Sequence, residues 1–268
     1  MNELELILTD ILKCSRTDLY LNYKSITFKD REFRTLERIL KDRGRVKPIQ
    51  YILGHTDFMG LRLNTRKGVL IPRPETEILV ETVISEAQKI NNRKSKLKVL
   101  DVGTGAGCIA VALAKLSQNS DITATDISKE ALDLAKENAK LNSVVNKIRF
   151  IKSDLFSHKI FEGKIKFDII VSNPPYVPTF EIPTLGAIVN NEPEIALDGG
   201  MDGLDFYRRI SKEARKFLNK EGRLILELGY GQSGEIKELF SCGWAIDKFI
   251  KDYQNIDRVC IIKRSSHG

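Results

Sequence analysis

The spacing of hydrophobic positions along this chain changes character once, between about residues 54 and 72. Before that point Leu4, Leu8, Ile11 and Leu12 fall on one helical face, and Phe33, Leu36, Ile39 and Leu40 do the same further on, so residues 1 to about 53 read as helical. Gly44 suits a helix stop after Arg43, Pro48 the first turn of another helix, and Gly54 its end. Thr56–Phe58 and Leu61–Leu63 then alternate around Met59-Gly60, the pattern of a short β-hairpin. Val69–Pro74, with two prolines, reads as extended.

Beyond this the apolar runs are short and alternate with amphipathic stretches. Strands are expected at Lys98–Val102, Asp121–Thr125, Ile148–Ile151, Phe167–Ser172, Gly222–Leu228, Ala245–Ile250 and Arg258–Ile262. Helices are expected at Gly107–Leu116, Lys129–Lys140, Leu204–Leu218 and Ser233–Phe240. Such alternation predicts an α/β fold: an open, mostly parallel, Rossmann-like sheet of seven strands with helices on both faces. Ligands of such sheets bind outside the carboxyl ends of the strands, near the point where the strand order reverses.

Composition adds exclusions more than identity. Hydrophobic residues make up 42% of the 268 and charged ones 29%, as in ordinary globular proteins. No apolar run approaches the roughly 18–20 residues that span a bilayer. The acidic start MNELELILTD lacks the basic region of a secretory signal, so a cytoplasmic location and no membrane partner are expected. Cys14, Cys108, Cys242 and Cys260 are scattered, as are His55, His158 and His267, which argues against a zinc site or a disulfide framework. The net charge of +7 leans weakly towards a polyanionic partner. The basic density peaks in residues 24–47, with nine basic and four acidic side chains, but a solvated helix face accounts for it equally well.

Two segments carry chemistry. The first expected strand runs into Asp101-Val102-Gly103-Thr104-Gly105-Ala106-Gly107 and then a helix. Glycines there allow a tight turn and close approach of a ligand to the backbone. A dinucleotide or S-adenosyl-L-methionine could occupy such a turn, and either would use an acid such as Asp126, after the next strand, for ribose hydroxyls. The spacing favours the methyl donor: a dinucleotide site expects G-x-G-x-x-G, the spacing here is G-x-G-x-G, and Asp101 would repel a pyrophosphate while attracting an amino group. After the third strand, Asp154 can accept from an adenine amine and Leu155 can pack on the ring; the plainer reading of Asp154 is a turn cap.

The second segment is Asn173-Pro174-Pro175-Tyr176, after the fourth strand. The Asn173 side-chain oxygen and the Pro174 carbonyl can grip a planar NH2 group from two sides, and Tyr176 offers a flat face to stack on it. This clamp suits methylation of an amide or an exocyclic amine. With a cationic donor aligned, the main requirements are position and stabilisation of charge growing on nitrogen, with no dedicated base.

Over nearly its whole length the chain resembles the HemK/PrmC type of protein-(glutamine-N5) methyltransferase. The resemblance rests on Pro48-Ile49-Gln50-Tyr51-Ile52-Leu53-Gly54, Ile71-Pro72-Arg73-Pro74-Glu75-Thr76-Glu77, Leu100–Gly107, Ser172–Val177, Glu192-Pro193 and Ala196–Leu204. It implies a class I methyltransferase domain at 72–268, a hairpin linker at 55–71 and a helical substrate-recognition domain at 1–54. It implies S-adenosyl-L-methionine as cofactor, S-adenosyl-L-homocysteine as product, and as partners the peptide chain release factors, whose Gly-Gly-Gln loop carries the target glutamine. Gly103–Gly107, Asp126 and Asn173 would bind the donor, and Asn173–Tyr176 the glutamine. The residue after Asp154 is often aromatic in this family and is Leu155 here, and 177–191 follows no family pattern. A monomer without a stable nucleic-acid partner is expected. Two alternatives stand beside this reading. An adenine-N6 methyltransferase of nucleic acid would use the same clamp, but base extrusion usually comes with a target-recognition domain that is not visible here. A non-catalytic ribosome- or RNA-binding protein would not need intact glycine and NPPY segments.

Overall fold

The structure, a computed structural model, describes residues 2–90, 96–117, 119–163 and 165–265. His267 lies outside the described residues. The chain begins with four helices, α1 (Glu3–Leu12), α2 (Arg16–Leu21), α3 (Asp30–Arg43) and α4 (Ile49–Leu53). Asn2 and Glu5 form a reciprocal cap on α1, as Ser15 and Asp18 do on α2, which satisfies backbone N–H groups that the first turn leaves open. Ile7, Ile11, Ile39 and Ile49 form the core of this unit. The buried face of α1 is thus rotated from the expected one: Leu4 is 57% exposed, and on α3 Phe33 and Leu40 also face out. Gly44 keeps a helical φ of −60°, Val46 takes the left-handed turn at 62°, and Pro48 is the cap of α4 instead of a first-turn residue.

The hairpin consists of β1 (His55–Phe58) and β2 (Leu61–Asn64). Met59 and Gly60 both have positive φ, 52° and 71°, the geometry that matches a two-residue turn to strand twist. The hairpin is riveted to the larger unit by Asn138, which is fully buried on α7 (Lys129–Leu141). Its Oδ1 accepts from Asn64 N at 2.7 Å, and its Nδ2 donates to Asn64 O at 3.1 Å and to Ala106 O at 2.9 Å. One side chain therefore joins the hairpin to the glycine segment.

The remaining elements are α5 (Glu75–Ile90), β3 (Leu97–Val102), α6 (Cys108–Leu116), β4 (Ser120–Asp126), β5 (Ile148–Lys152), β6 (Phe167–Ser172), α8 (Asp205–Glu213), β7 (Leu218–Glu227), α9 (Ser233–Leu239), β8 (Trp244–Lys251) and β9 (Asp257–Arg264). The seven-stranded sheet has the order β5-β4-β3-β6-β7-β9-β8. The pairs among β5, β4, β3, β6 and β7 are parallel, and β9 is antiparallel to both β7 and β8. The chain leaves β3 towards β4 and later returns to β3's other side with β6, so the order reverses between β3 and β6. Around the seven-stranded sheet, expectation and structure differ at two further places. The apolar residues Leu79, Val80 and Val83 pack α5 into the main core, an element that the strand–helix reading passed over. The helix expected to reach Leu218 ends at Glu213, because Leu218 is already paired with Phe167; the register then slips before Arg223 pairs with Ile169. Gly222 is at this slip, where a Cβ would stand 2.8 Å from Leu218 and 2.9 Å from Asp168 O.

Asp101 is a fully buried acid within β3. Thr104 Oγ1 donates to its Oδ2 at 2.6 Å, while Oδ1 has no partner. Burial pushes its pKa up to about 7. The unfolded chain releases this proton at a lower pH than the folded one does, so it binds fewer protons between about pH 4 and 7 and stability falls as pH rises through that window.

Two tests follow from this packing. Asn138→Ala should cost about 2–4 kcal/mol in urea denaturation, since it opens several buried or part-buried bonds at once; a loss near zero would contradict the rivet. Asp101→Asn should flatten the fall in stability between about pH 4 and pH 7. An unchanged slope in the variant would assign that fall to other groups.

Candidate active site

Val102 of β3 lies opposite Ser172 of β6, and Ser172 Oγ donates to Val102 O at 2.7 Å. The loops after these strands therefore leave the sheet side by side, bringing Gly103 next to Asn173. The ends of β4 and β5 add Asp126 and Ser153–Leu155 to the same edge, and a cleft forms over them. Its walls include Val69 and Leu70 on one side, Pro193 and Ile195 on another, and Phe206 and Arg209 of α8.

The three glycines divide their work. Gly103, Gly105 and Gly107 all have positive φ, 73°, 54° and 83°. At Gly103 and Gly105 a Cβ would meet nothing within 4 Å, so these two keep the cleft floor open. Gly107 instead permits close packing of the following helix: a Cβ there would stand 2.9 Å from the Ala135 Cβ. Gly103 N and Thr104 N both donate to Thr125 O at 2.9 Å, which pins the turn to β4. Gly105 N donates to Asp126 Oδ2 at 2.8 Å and Ser128 N to Oδ1 at 2.9 Å, so the Asp126 carboxylate is held rigidly at the rim. Burial raises its pKa, and these backbone donors oppose the rise.

The residues named from the sequence fall into two groups. Gly103, Gly105, Asp126, Asp154, Leu155, Asn173, Pro174 and Pro175 line the cleft. Asp101, Thr104, Ala106 and Gly107 are behind it; the Asp101 carboxyl is sealed in the sheet beneath Thr104, so a direct contact with a donor's amino group is not what this geometry offers. Tyr176 also differs from the stacking role expected of it. Its phenol is buried near the Glu227 carboxyl, its ring edge lies against Gly229, and it packs on the second core cluster. Burial raises the pKa of its phenol above the usual value.

Asp154 is more constrained than a free acceptor. Arg209 Nη2 donates to its Oδ1 at 2.7 Å, and the guanidinium lies 5.8 Å from the Phe206 ring centre. Leu155 has a left-handed φ of 47°, stabilised where Ser153 Oγ donates to its carbonyl at 2.8 Å. Arg209 and Phe206 share one face of α8, but no spacing rule marks that face as a cleft wall.

The distant segments that carried the resemblance meet here. Glu192, almost fully buried, accepts from Ile71 N at 3.0 Å and from Arg73 Nη2 at 2.5 Å, which ties the walls on either side of the cleft together. Tyr51 donates to Val69 O at 2.6 Å, so the helical unit braces one of those walls. The segment 177–203 folds into short 3-10 turns held by a parallel bridge between Val177 and Asp198. Asn173 Nδ2 donates to Thr76 Oγ1 at 3.1 Å. Thr76 stood within a quoted motif without a role, because its partner is 97 residues away. Among the described residues no group of His, Cys, Asp and Glu could hold a metal ion, and no helix is long and apolar enough to cross a membrane.

With this geometry in view, comparison with known proteins is specific. Residues 74–240 match the Methyltransferase small domain, and residues 1–54 match the PrmC N-terminal domain. The release factor glutamine methyltransferase of Thermodesulfovibrio yellowstonii is 39% identical over 267 residues, covering 99% of this chain and 93% of the relative. The enzyme of the same name from Streptococcus pneumoniae is 42% identical over 238 residues, covering 88% and 81%. Among solved structures, a methyltransferase from Pyrococcus furiosus aligns with a TM-score of 0.54 at 23% identity, covering 85% of this chain and 96% of that one. Human methyltransferase 10 domain containing protein aligns at 0.53 and 18%, covering 84% and 97%. These two likenesses establish the class I methyltransferase fold, and the sequence relatives establish more: the chain belongs to the release factor glutamine methyltransferase family.

Proposed function

We propose that the protein transfers a methyl group from S-adenosyl-L-methionine to the side-chain amide nitrogen of the glutamine in the Gly-Gly-Gln loop of peptide chain release factors. The observation that carries this reading is the juxtaposition of Asn173 with the open glycine turn across the β3–β6 pair. The family supplies the choice of substrate; the cleft supports the choice of chemistry.

The residues present fit the donor. Two glycines leave room where side chains would intrude, a rim carboxylate suits ribose hydroxyls, and the walls are largely apolar. Asp126 would hold the ribose. Asp154, steadied by Arg209, would accept from the adenine amine, with Leu155 and Ile127 against the ring. When bound, the donor supplies an electrophilic methyl on a sulfonium. Everything else falls to the chain. The Asn173 Oδ1 and the Pro174 carbonyl accept one hydrogen each from the glutamine NH2. This turns the nitrogen lone pair, otherwise delocalised into the amide, towards the cleft. The same two oxygens stabilise positive charge as it grows on nitrogen, which makes that nitrogen acidic enough to lose its proton without a dedicated base.

The helical unit at 1–54, with the hairpin after it, is assigned to release-factor recognition. A nucleic-acid adenine methyltransferase would need a larger recognition module than these residues provide. We assign the protein to the cytoplasm, where release factors act, and read it as a monomer.

Asn173→Ala should lower methyl transfer at least about 100-fold while donor affinity, read by calorimetry, falls far less; normal turnover in that variant would refute the clamp. In parallel incubations with radiolabelled donor, label should enter a release factor and not DNA. Label on DNA alone would overturn the substrate assignment.

A further inference from the structure

Pro174 and Pro175 have no N–H to bond with, and the ring of each locks its φ. The clamp is therefore a stiff segment that has to be held at its ends. Its first end is secured by the β3–β6 ladder at Ser172 and by the bond from Asn173 Nδ2 to Thr76 Oγ1. Its second end is the peptide unit that joins Tyr176 to Val177. That unit is held from two sides. Val177 N donates to Leu197 O at 2.9 Å, and Tyr176 O accepts from Gln232 Nε2 at 3.0 Å.

Gln232 caps α9 in the loop that follows β7. Leu226 of β7 pairs with Ser172, so this loop leaves the sheet beside the clamp. The backbone of Gln232 is fixed, because its carbonyl accepts from Ile236 N at 3.0 Å. Its side chain uses both ends of the amide. Besides Tyr176 O, Nε2 donates to Gly203 O at 3.3 Å, and Oε1 accepts from Gly229 N at 3.0 Å. One amide thus ties three loops together. Its orientation is decided by its partners, since a backbone carbonyl only accepts and a backbone N–H only donates. A flipped amide would set its oxygen against two carbonyl oxygens and its NH2 against an N–H.

The surroundings are shaped to this amide. A Cβ on Gly229 would stand 2.6 Å from Gln232 Oε1. A Cβ on Gly203 would stand 2.8 Å from Gln232 Nε2 and would collide with Tyr176 O. Gln232 itself lies behind the cleft lining. The donor half of the cleft is held by other bonds, those to Thr125 O and Asp126.

We propose that Gln232 is a positioning residue for methyl transfer: its amide sets the Tyr176–Val177 peptide unit and, through the two prolines of fixed φ, the direction of the Pro174 carbonyl. This rests on the amide-clamp reading above. Removing the tie should lower kcat and leave donor binding intact.

The main test is Gln232→Glu, which keeps the size and the acceptor for Gly229 N but turns an oxygen against Tyr176 O and Gly203 O. Its kcat should fall about 30-fold, while the KM for release factor and the calorimetric Kd for S-adenosyl-L-homocysteine stay within about 3-fold of wild type. Gln232→Ala removes the tie without adding repulsion, and its kcat should fall about 10-fold with KM and Kd equally constant. If the glutamate variant does not bind S-adenosyl-L-homocysteine, the alanine variant decides. An undiminished kcat in the alanine variant would overturn the proposal. So would loss of S-adenosyl-L-homocysteine binding in both variants, which would make Gln232 a support of the whole fold. Hydrogen–deuterium exchange gives a readout independent of activity. Within residues 174–178, Tyr176 and Val177 alone carry amide hydrogens, because the other three are prolines. Exchange there should be at least about 10-fold faster in Gln232→Ala than in wild type, with Gly103–Gly107 unchanged. Unaltered exchange in 174–178 would overturn the proposal. Should the wild-type protein itself leave release factor unlabelled, the substrate reading fails, while the exchange comparison still decides whether Gln232 holds the clamp.

Discussion

The site depends on the parallel pairing of β3 with β6, with Val102 opposite Ser172. Gly103 and Asn173 are 70 positions apart in sequence, and the ladder makes them neighbours. The strand order reverses at this pair, so the two loops diverge from a common edge and leave a cleft between them. A slip of one residue in this register would turn Ser172 away from Val102 and carry the Asn173 amide off its support. The buried hydroxyl of Ser172, spent on Val102 O, strengthens the pairing at the position where the loops begin.

Around that pair the structure invests in rigidity. The glycine turn is pinned to Thr125 O and to Asp126, the hairpin to Asn138, and the two outer walls to Glu192. Each bond joins segments far apart in sequence, and each involves a group that is at least partly buried, where an unmade hydrogen bond is costly. Transfer of a methyl group to a delocalised amide nitrogen demands alignment more than it demands acid or base, and a rigid frame is the physical answer to that demand.

Much of this was legible in the chain. The period of apolar residues located every strand of the sheet to within a few residues, and the strand Phe167–Ser172 with no error at all. The glycine spacing and the Asn-Pro-Pro-Tyr segment named most of the cleft floor. What escaped had physical causes. The face of α1 was misjudged because Leu4 and Ile7 are equally apolar, and only the tertiary partners Ile39 and Ile49 decide which is covered. Asp101 and Tyr176 were read as cleft residues from their places in motifs, but burial depends on which way a side chain leaves the sheet edge. Thr76, Glu192 and Arg209 were missed as site residues because their partners are brought to them by the fold alone.

The most direct measurement is tandem mass spectrometry of a release factor incubated with this protein and S-adenosyl-L-methionine. The account predicts one added methyl group, localised to the side chain of the glutamine in the Gly-Gly-Gln loop. A release factor recovered without that methyl, or methylated at another residue, would contradict it.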